Sequence, residues 1–194
     1  YDYVISLQAS FMDLAIIYKK DLFEFKNHTE LFSDNDYNFA GRPPLKLDLI
    51  VKSTGQEINI INLHMKCCDS GLKRRQKASL MLYEHLIGIE NKNNLIVLGD
   101  WNDDLKDEPK EHCFTPFLND DRFYFANHEI IYDINQASYP KEPYVSFLDH
   151  ILVTKNLISN KVATLPIDEW MNGYEIYESY ISDHKPVFLS FKIE

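Results

Sequence analysis

The chain has 194 residues, a net charge of −10, an apolar fraction of 45% and 13% aromatic residues, which suits a single domain with a full core. No run approaches the roughly 20 apolar residues that span a bilayer, and Tyr1 to Ser6 lacks the basic and apolar blocks of a signal peptide. The acidic balance argues against tight, stable nucleic-acid binding, which draws on basic faces, but not against an enzyme that touches a few phosphates and releases them.

The sequence opens without methionine and reads like the middle of a longer protein. Any targeting signal is therefore expected before Tyr1, which leaves secreted and cytoplasmic locations both open. A monomer is the default. Asp13 to Tyr18 is a short apolar run, read as a buried strand. Leu45, Leu47, Leu49 and Val51 alternate with Lys46, Asp48, Ile50 and Lys52, the period of a strand. Thr54-Gly55-Gln56 gives a turn and Glu57 to Met65 resumes a strand, so 45–65 is predicted to be a β-hairpin. Between Leu72 and Glu90 the period changes, with Ala78, Leu82, Leu86 and Ile89 at helical spacing. Leu95 to Leu98 is a solid apolar run, typical of a strand covered on both faces. Residues 103–144 read mostly as loop. Val145 to Thr154 and Pro186 to Ile193 are two further strands, with Val187, Leu189, Phe191 and Ile193 on one face. Cys67 and Cys68 are adjacent and Cys113 is distant; the odd count and irregular spacing favour plain thiols over a disulfide framework or a zinc site.

Four polar clusters sit at strand ends. In Leu98-Gly99-Asp100-Trp101-Asn102, a carboxylate and a carboxamide two residues apart in extended chain share a side and could orient water and a phosphoryl oxygen. As an isolated pattern it is more often a turn closed by Asx hydrogen bonds. Ser182-Asp183-His184-Lys185-Pro186 places an acid and an imidazole before the last strand, with proline stiffening the turn; a solvated loop is the plain alternative. Asp149, set in the apolar stretch Ser146 to Val153, is costly to bury alone and is a candidate to hold a histidine in one tautomer. His64, in Asn62-Leu63-His64-Met65-Lys66, and Arg42, in Gly41-Arg42-Pro43-Pro44, would singly pass for a packed histidine and a surface arginine.

In this order, from about Tyr3 to Phe191, the clusters resemble the DNase I-like endonuclease/exonuclease/phosphatase family. The resemblance implies an α+β fold of two packed, mainly antiparallel sheets flanked by helices in a four-layer sandwich. It implies hydrolysis at phosphorus with Mg2+ (or Mn2+ or Ca2+) as Lewis acid. His64 would contact the scissile phosphate or assist the leaving group, and Asp100 would orient or deprotonate water. Asn102 would hold phosphate and nucleophile, Asp149 would pair with His184, Asp183 would lie at the metal, and Arg42 would approach a phosphate oxygen. The family's opening strands, which carry an asparagine and the main metal-binding glutamate, have no counterpart before Tyr3, and Leu7-Gln8-Ala9 falls too late to supply one. The expected activity is nuclease-like, with nucleic acid as transient substrate. A phosphatase or lipid phosphodiesterase, or an inactive binding module lacking the glutamate, are the alternatives.

Overall fold

A computed structural model describes residues 1–7, 12–89 and 94–192. Gln8 and Ala9, Glu90 and Ile193, each part of an element or motif expected from sequence, lie outside them. The central layer is a six-stranded sheet in the order β3 (Phe23–Glu30), β4 (Leu45–Val51), β5 (Glu57–His64), β6 (Leu95–Asp100), β8 (Asp149–Thr154), β7 (Phe123–Phe125). Its pairs are antiparallel except β5 with β6, which run parallel. The long connection that a parallel pair needs is α1 (Leu72–Gly88).

Alternation along the strands divides two cores. Ile61 and Leu63 of β5, Leu95 and Val97 of β6 and Leu152 of β8 face Ala78, Leu82 and Leu86 of α1, together with Trp101, Phe114 and Phe117. The next residues along, Ile58, Ile96, Ile151 and Val153, face the other way, with Leu45, Leu47 and Leu49 of β4. That second core is covered by two antiparallel ribbons, β1 (Asp2–Ile5) with β2 (Ala15–Tyr18), and β9 (Ile158–Thr164) with β10 (Val187–Lys192). Val4, Ile16 and Tyr18 point into it, with Val187, Leu189 and Phe191 packed alongside. Among the described residues the ribbons are not hydrogen-bonded to one another.

The predicted hairpin, helix and two-sided strand are all present. Several boundaries differ from the sequence reading. β2 is shorter than the apolar run and only half buried, since Ala15 and Ile17 face outward. The stretch from Val145 becomes strand only at Asp149, because Ser146 instead bridges Tyr139. Asp149 is thus at the mouth of the strand rather than inside it. Residues 103–144 contain α2 (Thr115–Leu118), β7 and short 3-10 turns. β3, largely exposed, and β9, partly buried, mix polar with a few apolar residues, so apolar periodicity does not mark them. Two short helices, α3 (Ile167–Trp170) and α4 (Tyr174–Tyr180), fill the passage from β9 to β10. No helix among the described residues is long and apolar enough to cross a membrane.

At Gly99 the backbone of β6 lies close against β5. The glycine's φ is +132°, and a Cβ there would lie 2.0 Å from the carbonyl oxygen of Leu63. Any side chain would force the strands apart one residue before Asp100. Gly99→Ala is expected to lower the unfolding free energy by about 1–3 kcal/mol, read from urea melts; an unchanged midpoint would show that the approach is relaxed in solution.

Candidate active site

Register builds the centre of the site. His64 is the Cα partner of Asp100 across β5 and β6, and Asp100 is the partner of Asp149 across β6 and β8. Paired residues point to the same face, so the three side chains form one polar row at the end of the ribbon-side core. Asn62, two residues before His64 on the same face, ties the row to the ribbon layer by donating to the carbonyl of Ala15 at 3.0 Å.

His184 enters from that opposite layer, just ahead of β10. Its Nδ1 donates to Asp149 Oδ2 at 2.7 Å, and Nε2 has no hydrogen-bond partner among the described residues. The hydroxyls of Tyr174 and Tyr177 donate to the carbonyls of Asp183 and His184 at 2.7 and 2.8 Å, fixing the turn on α4. The ring of Tyr139 packs 5.2 Å from the His184 ring. Burial alone would lower the His184 pKa, but the hydrogen bond and charge of Asp149 outweigh it and raise the ring to about 9.

Asp100 is held differently from the expectation. Asn102 has φ 55° rather than an extended conformation, so strand parity does not align the two side chains. Instead the Asn102 amide folds back: its N–H donates to Asp100 Oδ1 and its Nδ2 to Oδ2, both at 2.8 Å. The isolated-turn geometry and the site geometry are here one arrangement. Asn102 Nδ2 also donates to the carbonyl of Met65 at 3.2 Å, and the same carbonyl accepts from Arg42 Nη2 at 2.7 Å. Arg42 is 7% exposed, not a surface residue, and its buried Nε has no partner among the described residues. Burial lowers its pKa and Asp100 pulls it back up.

Burial and the facing charge of Asp149 push Asp100 up to about 7. His64 moves the other way, to about 4, because it is buried and faces the cations Arg42 and His184. The 3.3 Å approach of His64 Nε2 to Asp100 Oδ2 is therefore made by a neutral ring and is not an ion pair at neutral pH. Asp183 is exposed; its charge bears on His64 and His184, but its carboxylate is not part of the candidate metal cluster. That cluster is Asp100, Asp149 and His184, whose ligand atoms lie within 4.8 Å of one another. With Nδ1 spent on Asp149, the two carboxylates are its oxygen donors. Two facing carboxylates suit a hard cation, which takes one or two carboxylates and completes its shell with water and substrate oxygens.

Sequence reasoning missed the layer that supports this row. Asn127, 1% exposed, accepts from Ile151 N at 3.1 Å and sends Nδ2 to His150 Nδ1 and the carbonyl of Asp149. His150, fully buried on the α1 side, then donates from Nε2 to the carbonyl of Asp103 at 3.0 Å. Burial lowers its pKa, and it is a neutral structural histidine. Ser138 Oγ accepts from the backbone N–H groups of Leu148 and Asp149. Nothing local in Ala126-Asn127-His128 or Ala137-Ser138-Tyr139 signals these contacts, because both depend on tertiary placement.

The sequence pattern of the Endonuclease/Exonuclease/phosphatase family matches residues 4–171. The chain belongs to that family. Family members hydrolyse phosphate esters and generally depend on a divalent metal. The match covers His64, Asp100 and Asp149; His184 lies beyond it, and its place rests on the geometry above. No curated protein matches the chain in sequence. Among solved structures it resembles a mannosyl-6-phosphatase of Bacteroides thetaiotaomicron, with 19% identity, TM-score 0.67, and 99% of this chain over 77% of that one. It also resembles the catalytic domain of human Nocturnin with bound sulfate, with 19% identity, TM-score 0.66, and 98% over 72%. A third is D. rerio TDP2 with a single-strand DNA product, with 16% identity, TM-score 0.68, and 99% over 77%. At these identities the likeness is one of fold: mixed sheets flanked by helices.

Asn127→Ala would strand the Ile151 N–H and the His150 ring in the interior. It is expected to cost about 1–3 kcal/mol of stability, measured by urea denaturation. An unaltered midpoint would mean that water or another group replaces the amide.

Proposed function

We propose that the protein is a divalent-metal-dependent phosphodiester hydrolase acting on nucleic acid. The observation that carries the reading is the convergence of Asp100, Asp149 and His184 from two layers, with His64 and Arg42 beside them. Asp100, raised to about 7 while the site holds no cation, would orient an attacking water and accept its proton. The Asn102 amide fixes both of its oxygens, so its lone pairs are aimed rather than free to rotate. His184 stays protonated because Asp149 holds Nδ1, and its Nε2–H offers a positive donor to a phosphoryl oxygen as charge builds there. Arg42 adds positive charge, and neutral His64 stands ready to share a proton with the leaving group. A cation held by Asp100 and Asp149, with Asp183 nearby, would supply charge neutralisation at phosphorus.

A second reading, hydrolysis of a small phosphate monoester, is favoured by the net charge of −10, which repels a polyanion along the rest of the surface. Plasmid DNA, bis-p-nitrophenyl phosphate and p-nitrophenyl phosphate, each assayed with and without magnesium, separate the two. The expected result is magnesium-dependent cleavage of DNA and of the diester. Cleavage of the monoester alone would transfer the proposal to the second reading, and inertness of a folded, magnesium-saturated protein towards all three would leave a binding module.

Asp149→Asn is nearly isosteric and is expected to keep the fold, with some loss of melting temperature near neutral pH, while turnover per folded molecule falls about 10²–10⁴-fold. The amide removes the charge that keeps His184 protonated. A variant that melts early yet turns over normally per folded molecule would reduce Asp149 to a structural role.

A further inference from the structure

Cys67 and Cys68 lie in the loop that leaves β5 just beyond His64. Their Sγ atoms are 2.8 Å apart. Lys66 Nζ approaches Cys67 Sγ at 3.4 Å, Cys67 is half-buried and Cys68 is exposed. The Cys68 thiol donates to Cys67 and lowers its pKa; burial opposes this, and Lys66 and Arg42 assist it. As the donor, Cys68 is pushed up. The pair thus divides into a nucleophilic sulfur among cations, the setting of reactive cysteines, and a protonated partner in contact with it.

The same loop holds the active site. The Met65 carbonyl accepts from Arg42 and from Asn102, and the Met65 N–H donates to the carbonyl of Asp100 at 2.8 Å. The carbonyls of Lys66 and Cys68 both accept from Arg75 Nη1, at 2.8 and 2.7 Å. Cys68 sits at φ 70°.

We propose that Cys67 and Cys68 form an oxidisable dithiol that closes to a disulfide with peroxide and reversibly turns down the adjacent site. The effect on turnover rests on the hydrolase reading; the thiol chemistry does not. Cys67 thiolate attacks one oxygen of hydrogen peroxide, the O–O bond breaks, and the departing hydroxide takes a proton to become water. Cys67 is then a sulfenic acid. The Cys68 sulfur attacks the Cys67 sulfur, the S–O bond breaks, and the second hydroxide leaves as water with the Cys68 proton. Two thiols lose two electrons and two hydrogens, and one peroxide becomes two waters.

Closure has a mechanical consequence. Disulfides ordinarily span about 4.4–6.8 Å between Cα atoms, whereas neighbours across a trans peptide are only about 3.8 Å apart. Closing the ring at that spacing strains it, and relief of the strain shifts the backbone at 67–68 together with the carbonyls that hold Arg75, Arg42 and Asn102. Such strain also makes the bond easily reduced. Cys113 is an internal contrast: fully buried, with its thiol pushed well above the usual range by burial, it is shielded from the oxidant.

The test treats the protein with hydrogen peroxide and then dithiothreitol. Peptide mass mapping, amide exchange over Met65 to Gly71, and diester hydrolysis are followed together. The expected result is loss of two hydrogens at Cys67 and Cys68, faster exchange at Met65, and a fall in turnover of about 10²-fold, the scale of a roughly 1 Å misplacement, all undone by the reductant. Cys68→Ser should keep the activity of the reduced protein and never show the two-hydrogen loss. Oxygen added to one sulfur without closure of the pair would overturn the proposal, as would closure that leaves exchange and turnover unchanged. If the reduced protein hydrolyses nothing, the hydrolase reading falls, while mass and exchange still decide whether the pair closes and loosens the loop.

Discussion

The register of three neighbouring strands is the constraint on which the site depends. His64, Asp100 and Asp149 are level across β5, β6 and β8, all on the face that looks towards the ribbons. Side chains alternate along a strand, so a slip of one residue in either pairing would turn a member of the row into the α1-side core. His150 marks what lies there: a neutral, fully buried ring whose nitrogens are both committed. Register is in turn secured by the apolar residues that alternate between the two cores and by a glycine where the strands approach too closely for a side chain. The ribbon layer then lowers His184 onto the row, with Tyr174 and Tyr177 holding the turn that carries it.

Electrostatically the row works against itself. Asp100 is buried beside a second carboxylate, and its raised pKa means that its contribution to stability is greatest in acid and is lost as pH rises towards about 7. The Asp149–His184 bond behaves in the same direction over a higher window: it contributes fully below the ordinary histidine value of 6.5 and is lost as pH rises to about 9. His64 has the opposite sign, since its lowered pKa gives a contribution present above 6.5 and lost as pH falls to about 4. Near neutral pH the folded state therefore keeps an unfavourable carboxylate pair, an arrangement expected where charge is being reserved for substrate or metal. The loop 65–68 sits at the junction of these effects, since one carbonyl in it holds both Arg42 and Asn102.

How much could be read from the sequence follows from where each signal resides. The β4–β5 hairpin, α1 and β6 were legible because their apolar periods are local and the core respects them. The four polar clusters were legible as motifs, and His64, Asp100, Asn102, Asp149 and His184 do come together, with Arg42 reaching them through the Met65 carbonyl. The strands β3 and β9 were not legible, because their few apolar residues form no sustained period and the strands are at most partly buried. Asn102 was legible as a residue but not in its conformation, which a left-handed φ sets rather than strand parity. Asn127 and Ser138 carried no signal at all. Their roles exist only once β8 is in place, and Asp183, prominent in its motif, presents a backbone carbonyl to Tyr174 while its side chain faces solvent.

The row and His184 form one coupled electrostatic unit, and the two histidine rings report on it directly. Following their ring protons by NMR while the metal-free protein is titrated should show His184 losing its proton near pH 9 and His64 near pH 4, on either side of the ordinary value of 6.5. Both rings titrating together close to 6.5 would show that neither the Asp149 hydrogen bond nor the burial of His64 exists in solution, and the coupled unit would fall.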